Sequence, residues 1–426
     1  MTQGAPGHVA VPAITPYVYL ASAAMSILGN AVASIVWPWM VLERSGNPAA
    51  AGIVATAIAV PSLIFAFVGG HLVDTVGRKP MSVVSDVVSA LSIVLLIMVD
   101  HVADLSLGWF IALGIFGAVG DVPGMSARSA LVGDVVTEKM TLDRLSGVNQ
   151  TIASFGFLVG PALAGVLLST LNMTDVLWIT AICSFAAAGL TTLLPVGTSA
   201  AAEEGETLRG SLGSWKRILA VPAIRLIAVV SLASTVCVAP LLAVLLPAHF
   251  QSIDRPGLLG ITMSAYAVGE IVGGAYVAWR GTQRRRAMWA VAAGLEIVGM
   301  LFFTVIQLNW TAMVGMVIAG IGGGLFAPMI MVIVTEGVAN DVRGRAFSLF
   351  NALGMFAAPI GLVIVTGLLH WLNIYHVCIV LSLVFLGVGS WSIARGWAVL
   401  PRYANANNEG RTVHADGVDC GDHERQ

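Results

Sequence analysis

Twelve apolar stretches constrain this chain more than any other feature. They run at about 16–42, 48–73, 80–99, 107–132, 145–170, 176–195, 222–247, 258–279, 287–306, 311–335, 345–370 and 373–394. Crossing roughly 30 Å of hydrocarbon takes about 20 helical residues. Lipid offers no partner for an exposed backbone N–H or C=O, so each stretch reads as a transmembrane helix. Only 10% of residues are charged, against roughly 25% in soluble domains. Helices 1, 4, 5, 10 and 11 are long enough to tilt. The first stretch is too long, and its leading segment too poor in basic residues, for a cleaved secretory signal, so it is expected to stay in the membrane.

The basic residues orient the helices. With both termini cytoplasmic, 19 of the 21 Lys and Arg fall on the inner side, leaving Arg44 and Arg255 outside. The positive-inside rule therefore supports twelve spans in a cytoplasmic membrane, with N- and C-termini inside. A net charge of −2 gives no reason to expect a nucleic-acid partner. The four cysteines, Cys183, Cys237, Cys378 and Cys420, have no metal or redox spacing and read as small apolar filler. Six tryptophans (Trp37, Trp39, Trp109, Trp178, Trp310, Trp371) fall at outer helix ends, where an interfacial belt accounts for them.

A polar stretch divides six helices from six. The expected organisation is an N-terminal six-helix bundle over 1–195, a cytoplasmic linker over 196–221, a C-terminal bundle over 222–395 and a disordered tail over 396–426. The halves echo each other. Gly69, Gly70 and Gly77 recur at the same spacing as Gly273, Gly274 and Gly281; Asp143, Gly156 and Pro161 recur as Asp341, Gly354 and Pro359. Internal repeats are a common construction in transporters.

The turn after helix 2 reads GGHLVDTVGRKP over 69–80. Its glycines permit close helix approach and a tight turn. Asp74 can pair with Arg78 or face the positive end of a neighbouring helix, while snorkelling charges that only set topology would also explain it. The pattern Gly70-x-x-x-Asp74-x-x-Gly77-Arg78-Lys79 resembles the loop 2–3 signature of the major facilitator superfamily. That resemblance implies an all-α membrane fold of two six-helix bundles, with Asp74 and Arg78 latching the outward-facing state across the interface between them. The second-half echo has Ala278 where the aspartate would stand, so only one side of the latch is charged in this way.

Helix 5 carries GFLVGPALAG, with Gly156, Gly160, Pro161 and Gly165 spaced as in the family's antiporter motif, which implies export. Gly and Pro here also allow tight packing and bending, and packing alone would account for them. LGNAVASIVWPWMVL in helix 1, PGMSARSALVGDVV at the end of helix 4 and LDRLSGVNQTIASFGFLVGPALAG resemble the Tap-type multidrug pumps, macrolide-efflux proteins and enterobactin exporters. Of these, the Tap type, exporting tetracyclines and aminoglycosides, is the nearer resemblance. Where that group often has an aspartate in helix 1, this chain has Asn30, which can hydrogen-bond a substrate but carries no proton.

Proton coupling then needs other acids. A carboxylate at the bilayer centre costs roughly 2.5–3.5 kcal/mol on insertion scales, so its presence demands a reason. Asp121, Glu270 and Glu296 sit mid-helix and are the candidates, in that order. An acid merely hydrogen-bonded to a neighbouring helix is the rival reading for each. Asp86, Asp134 and Glu336 lie nearer the inner ends and are assigned to supporting the gate. Met25, Asn30, Phe155 and Arg128 are candidates for the substrate cavity.

The expected function is antibiotic or multidrug efflux: proton-coupled export of amphipathic small molecules by a monomeric antiporter using alternating access. The alternatives are export of an endogenous siderophore or secondary metabolite, and nutrient import on the same fold. No enzyme activity is expected, since no convergent His, Asp or Glu cluster stands at one depth. No metal site is expected either. No Gly-x-x-x-x-Gly-Lys-Ser/Thr loop is present, so the proton gradient, rather than ATP or any cofactor, is the expected energy source.

Overall fold

A computed structural model describes residues 12–103, 105–195, 218–282, 284–337 and 343–400. The side chains of 67–72, 74, 143, 343–345, 347, 348 and 351 lie outside that description. The chain forms α1 (Thr15–Ser45), α2 (Pro48–Val76), α3 (Arg78–Val102), α4 (Leu107–Leu131), α5 (Leu142–Thr170), α6 (Met173–Thr192), α7 (Pro222–Ser252), α8 (Pro256–Arg280), α9 (Arg285–Phe302), α10 (Asn309–Gly337), α11 (Arg343–Leu369) and α12 (Ile374–Val399). Twelve helices among the described residues are long and apolar enough to cross a membrane. Most of the expected linker, 196–217, and of the expected tail, 401–426, lie outside the described residues, as does Asp341 of the second-half echo. One boundary moves: α12 runs to Val399, four residues into the stretch expected to be disordered. Packing explains the extension, because Gly396 rests on the Trp289 ring and the Leu400 carbonyl accepts from Arg286 Nε at 2.6 Å.

Helix starts and stops follow local chemistry. Asn47 caps α2 by accepting from the Ala49 amide at 2.9 Å, with Pro48 in the first turn. Asn373 caps α12 in the same way, from the His376 amide. The α2–α3 and α8–α9 turns are made by Gly77 (φ 97°) and Gly281 (φ 67°), backbone that favours glycine. The two echoing glycines thus do the same work in both halves. Pro240 breaks the regular ladder of α7, which continues through a π-turn at Leu241–Leu245.

Helices α1–α6 pack mainly among themselves, and so do α7–α12; α5 against α8 and α2 against α11 join the halves. The start of α1 and the end of α12 belong to one end of the bundle, here the near end. At the opposite, far end a single apolar core runs through both halves, from Val36 and Phe110 to Leu245, Phe250 and Phe303. At the near end the core separates into two main parts, with a small further cluster of Val73, Met81 and Ala127 at the α2–α3 turn. One part belongs to the first half, around Tyr19, Leu131 and Leu145; the other belongs to the second, around Ile227, Trp289 and Met329. Among the described residues the buried cores of the two halves are therefore joined at the far end and separate at the near end. The far-end tryptophans divide as well. Trp109, Trp178, Trp310 and Trp371 are exposed as a belt requires, whereas Trp39 is buried in the shared core and Trp37 packs against it beside Phe110.

Candidate functional site

The first half holds an ion pair inside a hydroxyl network. Arg128 of α4 reaches across to Asp86 of α3, and both side chains are largely buried. Arg128 also donates to Ser22 Oγ at 2.7 Å, and Ser22 meets Thr191 Oγ1 at 2.7 Å. Ser26 Oγ donates to the second Asp86 oxygen at 3.0 Å, and the Tyr19 hydroxyl to the Arg128 carbonyl, also at 3.0 Å. Four helices are thus tied to one charge pair. Arg128 was expected to line a substrate cavity; its guanidinium is occupied by Asp86 instead, because that acid lies on the adjacent helix at the same depth. One turn along α3, Ser89 donates to Asp121 Oδ1 at 2.6 Å, and Asp121 has no basic partner among the described residues.

The second half is built differently. Glycines let α8 and α10 touch backbone to backbone: a Cβ on Gly273 would lie 2.3 Å from the Ile321 carbonyl, and one on Gly320 2.1 Å from that of Tyr266. Around this contact two acids converge on consecutive glycines of α10. Glu296 of α9 lies against Gly322, and Glu270 of α8 lies near Gly323 beside the Tyr266 hydroxyl. Among the described residues neither glutamate has a cation. Glu296 also borders a small crevice between α7, α10 and α12, with Ser234 and Phe326.

The loop signature places Arg78 against Asp134 at 2.9 Å, while Lys79 donates to the Leu194 carbonyl at 2.6 Å. Both partners belong to the first half. The side chain of Asp74 lies outside the described residues, and Gly70 forms part of α2. Across the molecule Arg285 makes a two-pronged contact with Glu336, at 2.7 and 2.6 Å. Asp86, Asp134 and Glu336 thus each hold a cation.

The α5 motif splits its work. Gly156 and Gly160 face α1, where added Cβ atoms would strike Ile27 and Ala31 at 2.3 Å. Pro161 and Gly165 face the other half: a Cβ on Gly260 of α8 would lie 2.2 Å from the Pro161 carbonyl, and one on Gly165 2.7 Å from that of Pro256. The Ala162 amide donates to Ser264 Oγ across the same seam at 3.1 Å. A second seam forms where Gly52 of α2 abuts the Thr366 hydroxyl of α11. Of the remaining cavity candidates, Met25 and Asn30 are half-buried on α1 and Phe155 is exposed on α5. Sequence reasoning missed Tyr266 and the glycine run 322–324 that gathers the two glutamates. The run GGG beside a mid-membrane acid was the available signal.

Twelve membrane-length helices in two sets, their buried cores joined at one end and separate at the other, with carboxyl groups held mid-helix inside each set, define a multi-span membrane transporter. The chain belongs to the major facilitator superfamily, whose sequence profile matches residues 19–254 and 241–414. It is 28% identical over 373 residues to the multidrug efflux pump Tap of Mycolicibacterium fortuitum, covering 85% of this chain and 90% of that one. It is 21% identical over 381 residues to macrolide efflux protein A of Streptococcus pyogenes, covering 83% and 91%. In fold it is similar to the crystal structure of the nucleoside transporter NupG, with TM-score 0.68 and 13% identity over 91% of this chain and 98% of that one.

Proposed function

We propose that this transporter exports amphipathic small molecules, antibiotics among them, from the cytoplasm in exchange for protons. The observation that carries the reading is the α5 seam. Pro161 and Gly165 of the stretch that resembles an antiporter motif form a backbone contact between the halves toward the far end, and the Tap and macrolide efflux relatives bear the names of exporters. The basic residues favour a cytoplasmic near end, and on that reading the separate near-end cores correspond to an inward-facing state. Alternating access then consists of opening the α5–α8 and α2–α11 seams while the near end closes.

The acids divide by partner. Protonating Asp86 would strand a buried Arg128 cation, so that pair keeps its charge through the cycle. Asp121, Glu270 and Glu296 have hydroxyl or glycine neighbours and no cation among the described residues. Each can gain or lose a proton without orphaning a charge. Asp121 and Glu270 are the first choices as proton carriers, with Glu296 adjoining. Asn30, one turn beyond Ser26 on α1, is a neutral substrate contact.

The test is transport by the full chain in proteoliposomes with an imposed pH gradient, joined to a susceptibility panel of tetracyclines, aminoglycosides and macrolides in cells with and without the gene. Export that collapses with a protonophore and ignores sodium supports the reading. Uptake of the compounds into intact cells would replace it with import. Export that persists without a proton gradient would remove the coupling and leave the direction intact.

A further inference from the structure

One feature of the second half plays no part in that cycle. Helix α10 packs against both α8 and α9, and its Ile321 and Leu325 floor a groove of about 560 Å³ between them. Val272 and Val291 form its apolar walls, and Arg280 and Arg284 stand at its near-end mouth. Both valines are exposed. The equivalent turn of the first half spends its cations internally, Arg78 on Asp134 and Lys79 on a carbonyl. In this turn Arg285 and Arg286 are likewise committed, to Glu336 and to the Leu400 carbonyl. Arg280 and Arg284 are different: among the described residues neither has an acid partner, and Arg280 only overhangs the Trp279 ring at 5.6 Å.

We infer that this groove holds an anionic phospholipid from the leaflet on the near side. Its phosphate sits between Arg280 and Arg284, and an acyl chain lies along Val272, Val291 and the α10 floor. Charge complementarity selects the headgroup, because basic pockets between helices at the cytoplasmic surface recruit anionic lipids. Length selects a lipid over a free phosphate. From Arg280 to Val272 the helix rises about 12 Å, most of the roughly 15 Å that one leaflet contributes to the hydrocarbon core. A free phosphate would use the mouth and leave the apolar walls without a role. The inference is independent of the direction of transport and of proton coupling.

The experiment is native mass spectrometry of the purified full chain in detergent, with added dioleoyl phosphatidylglycerol, dioleoyl phosphatidylcholine or inorganic phosphate. Wild type is expected to retain phosphatidylglycerol in preference to phosphatidylcholine, and millimolar phosphate is expected not to displace it. Arg280→Gln with Arg284→Gln should weaken retention about 30-fold, the effect of two arginines near a membrane surface. Val291→Trp, which fills the groove and keeps both arginines, should weaken it too, while Arg255→Gln at the far end should not. Thermal unfolding checks that each variant is folded, and Val291→Trp carries the test if the double variant is not. Equal retention by wild type and the folded variants would overturn the inference. So would equal retention of the two lipids, or displacement by phosphate alone.

Discussion

Asp86 in the first half and the two glutamates of the second half sit in opposite settings. In the first, Asp86 is matched by Arg128; Ser26 donates to the carboxylate and Ser22 accepts from the guanidinium. In the second, Glu270 and Glu296 lie against consecutive glycines of α10, Glu270 beside the Tyr266 hydroxyl, with no cation among the described residues. A matched pair is a fixed strut: changing either charge leaves the other buried and alone. An acid with only hydroxyl neighbours is free to change state. The comparison teaches that burial of a carboxyl does not by itself mark a proton carrier; the identity of its neighbours does.

The largest expected effect breaks the strut. Arg128→Met leaves Asp86 uncompensated and should cost about 3–5 kcal/mol, read as a lower thermal midpoint in detergent and lower membrane abundance. Adding Asp86→Leu should restore most of the loss. No recovery in the double variant would show that the hydroxyl network, rather than charge matching, holds these helices together.

Next comes the seam. Gly260→Val drives a side chain into the Pro161 carbonyl and should disfavour the sealed far end by about 1–3 kcal/mol, the usual range for overpacking. Export should fall while abundance holds, and a thiol probe should reach a cysteine placed at Ser264 from the outside. A sealed far end in this variant would mean that the seam can slide without opening.

The acids themselves separate function from stability. Asp121→Asn and Glu270→Gln should each shift stability by less than about 1 kcal/mol, because an amide still bonds a hydroxyl. Each should nonetheless abolish uphill export and spare downhill exchange. Proton release on substrate addition should shrink in both variants across pH 6–8. If it is unchanged in Asp121→Asn and lost in Glu270→Gln, the second half carries the proton alone. Asn30→Asp should be tolerated, and should partly rescue Asp121→Asn if the first half takes part.

The smallest effect is at the half-exposed pair of Arg78 and Asp134. Exposed pairs contribute about 0–1 kcal/mol, so Arg78→Gln should barely move the thermal midpoint. A latch role would appear instead as slower transport at equal abundance, and Asp74→Asn should behave in the same way. Wild-type rates in both would assign this turn to topology.

How much of this was legible in the chain depended on the distance over which the information acts. Span number and helix ends were local. Runs of apolar residues give the helices, and Asn47, Pro48, Gly77, Pro256 and Gly281 mark their ends. The Gly77–Gly281 echo was readable because backbone at positive φ demands the same residue wherever the repeat needs it. Helix rotation was not readable. Asp86 and Arg128 lie 42 positions apart, and nothing in either helix alone says which faces meet; hence Arg128 was placed in a cavity and its partner near a gate. The α7 π-turn was hidden too, since Leu241–Leu245 is as apolar as an ordinary membrane helix. Trp39 was misplaced for a related reason: position near a helix end says nothing about whether that face meets lipid or the other half.

The far-end seam has one more implication. Gly260 lies beneath a carbonyl and Gly165 against another, so this closure is main chain on main chain. A main-chain contact of this kind carries no side-chain chemistry that a cargo could select, so substitutions elsewhere in the helices can alter what is bound while this contact stays the same.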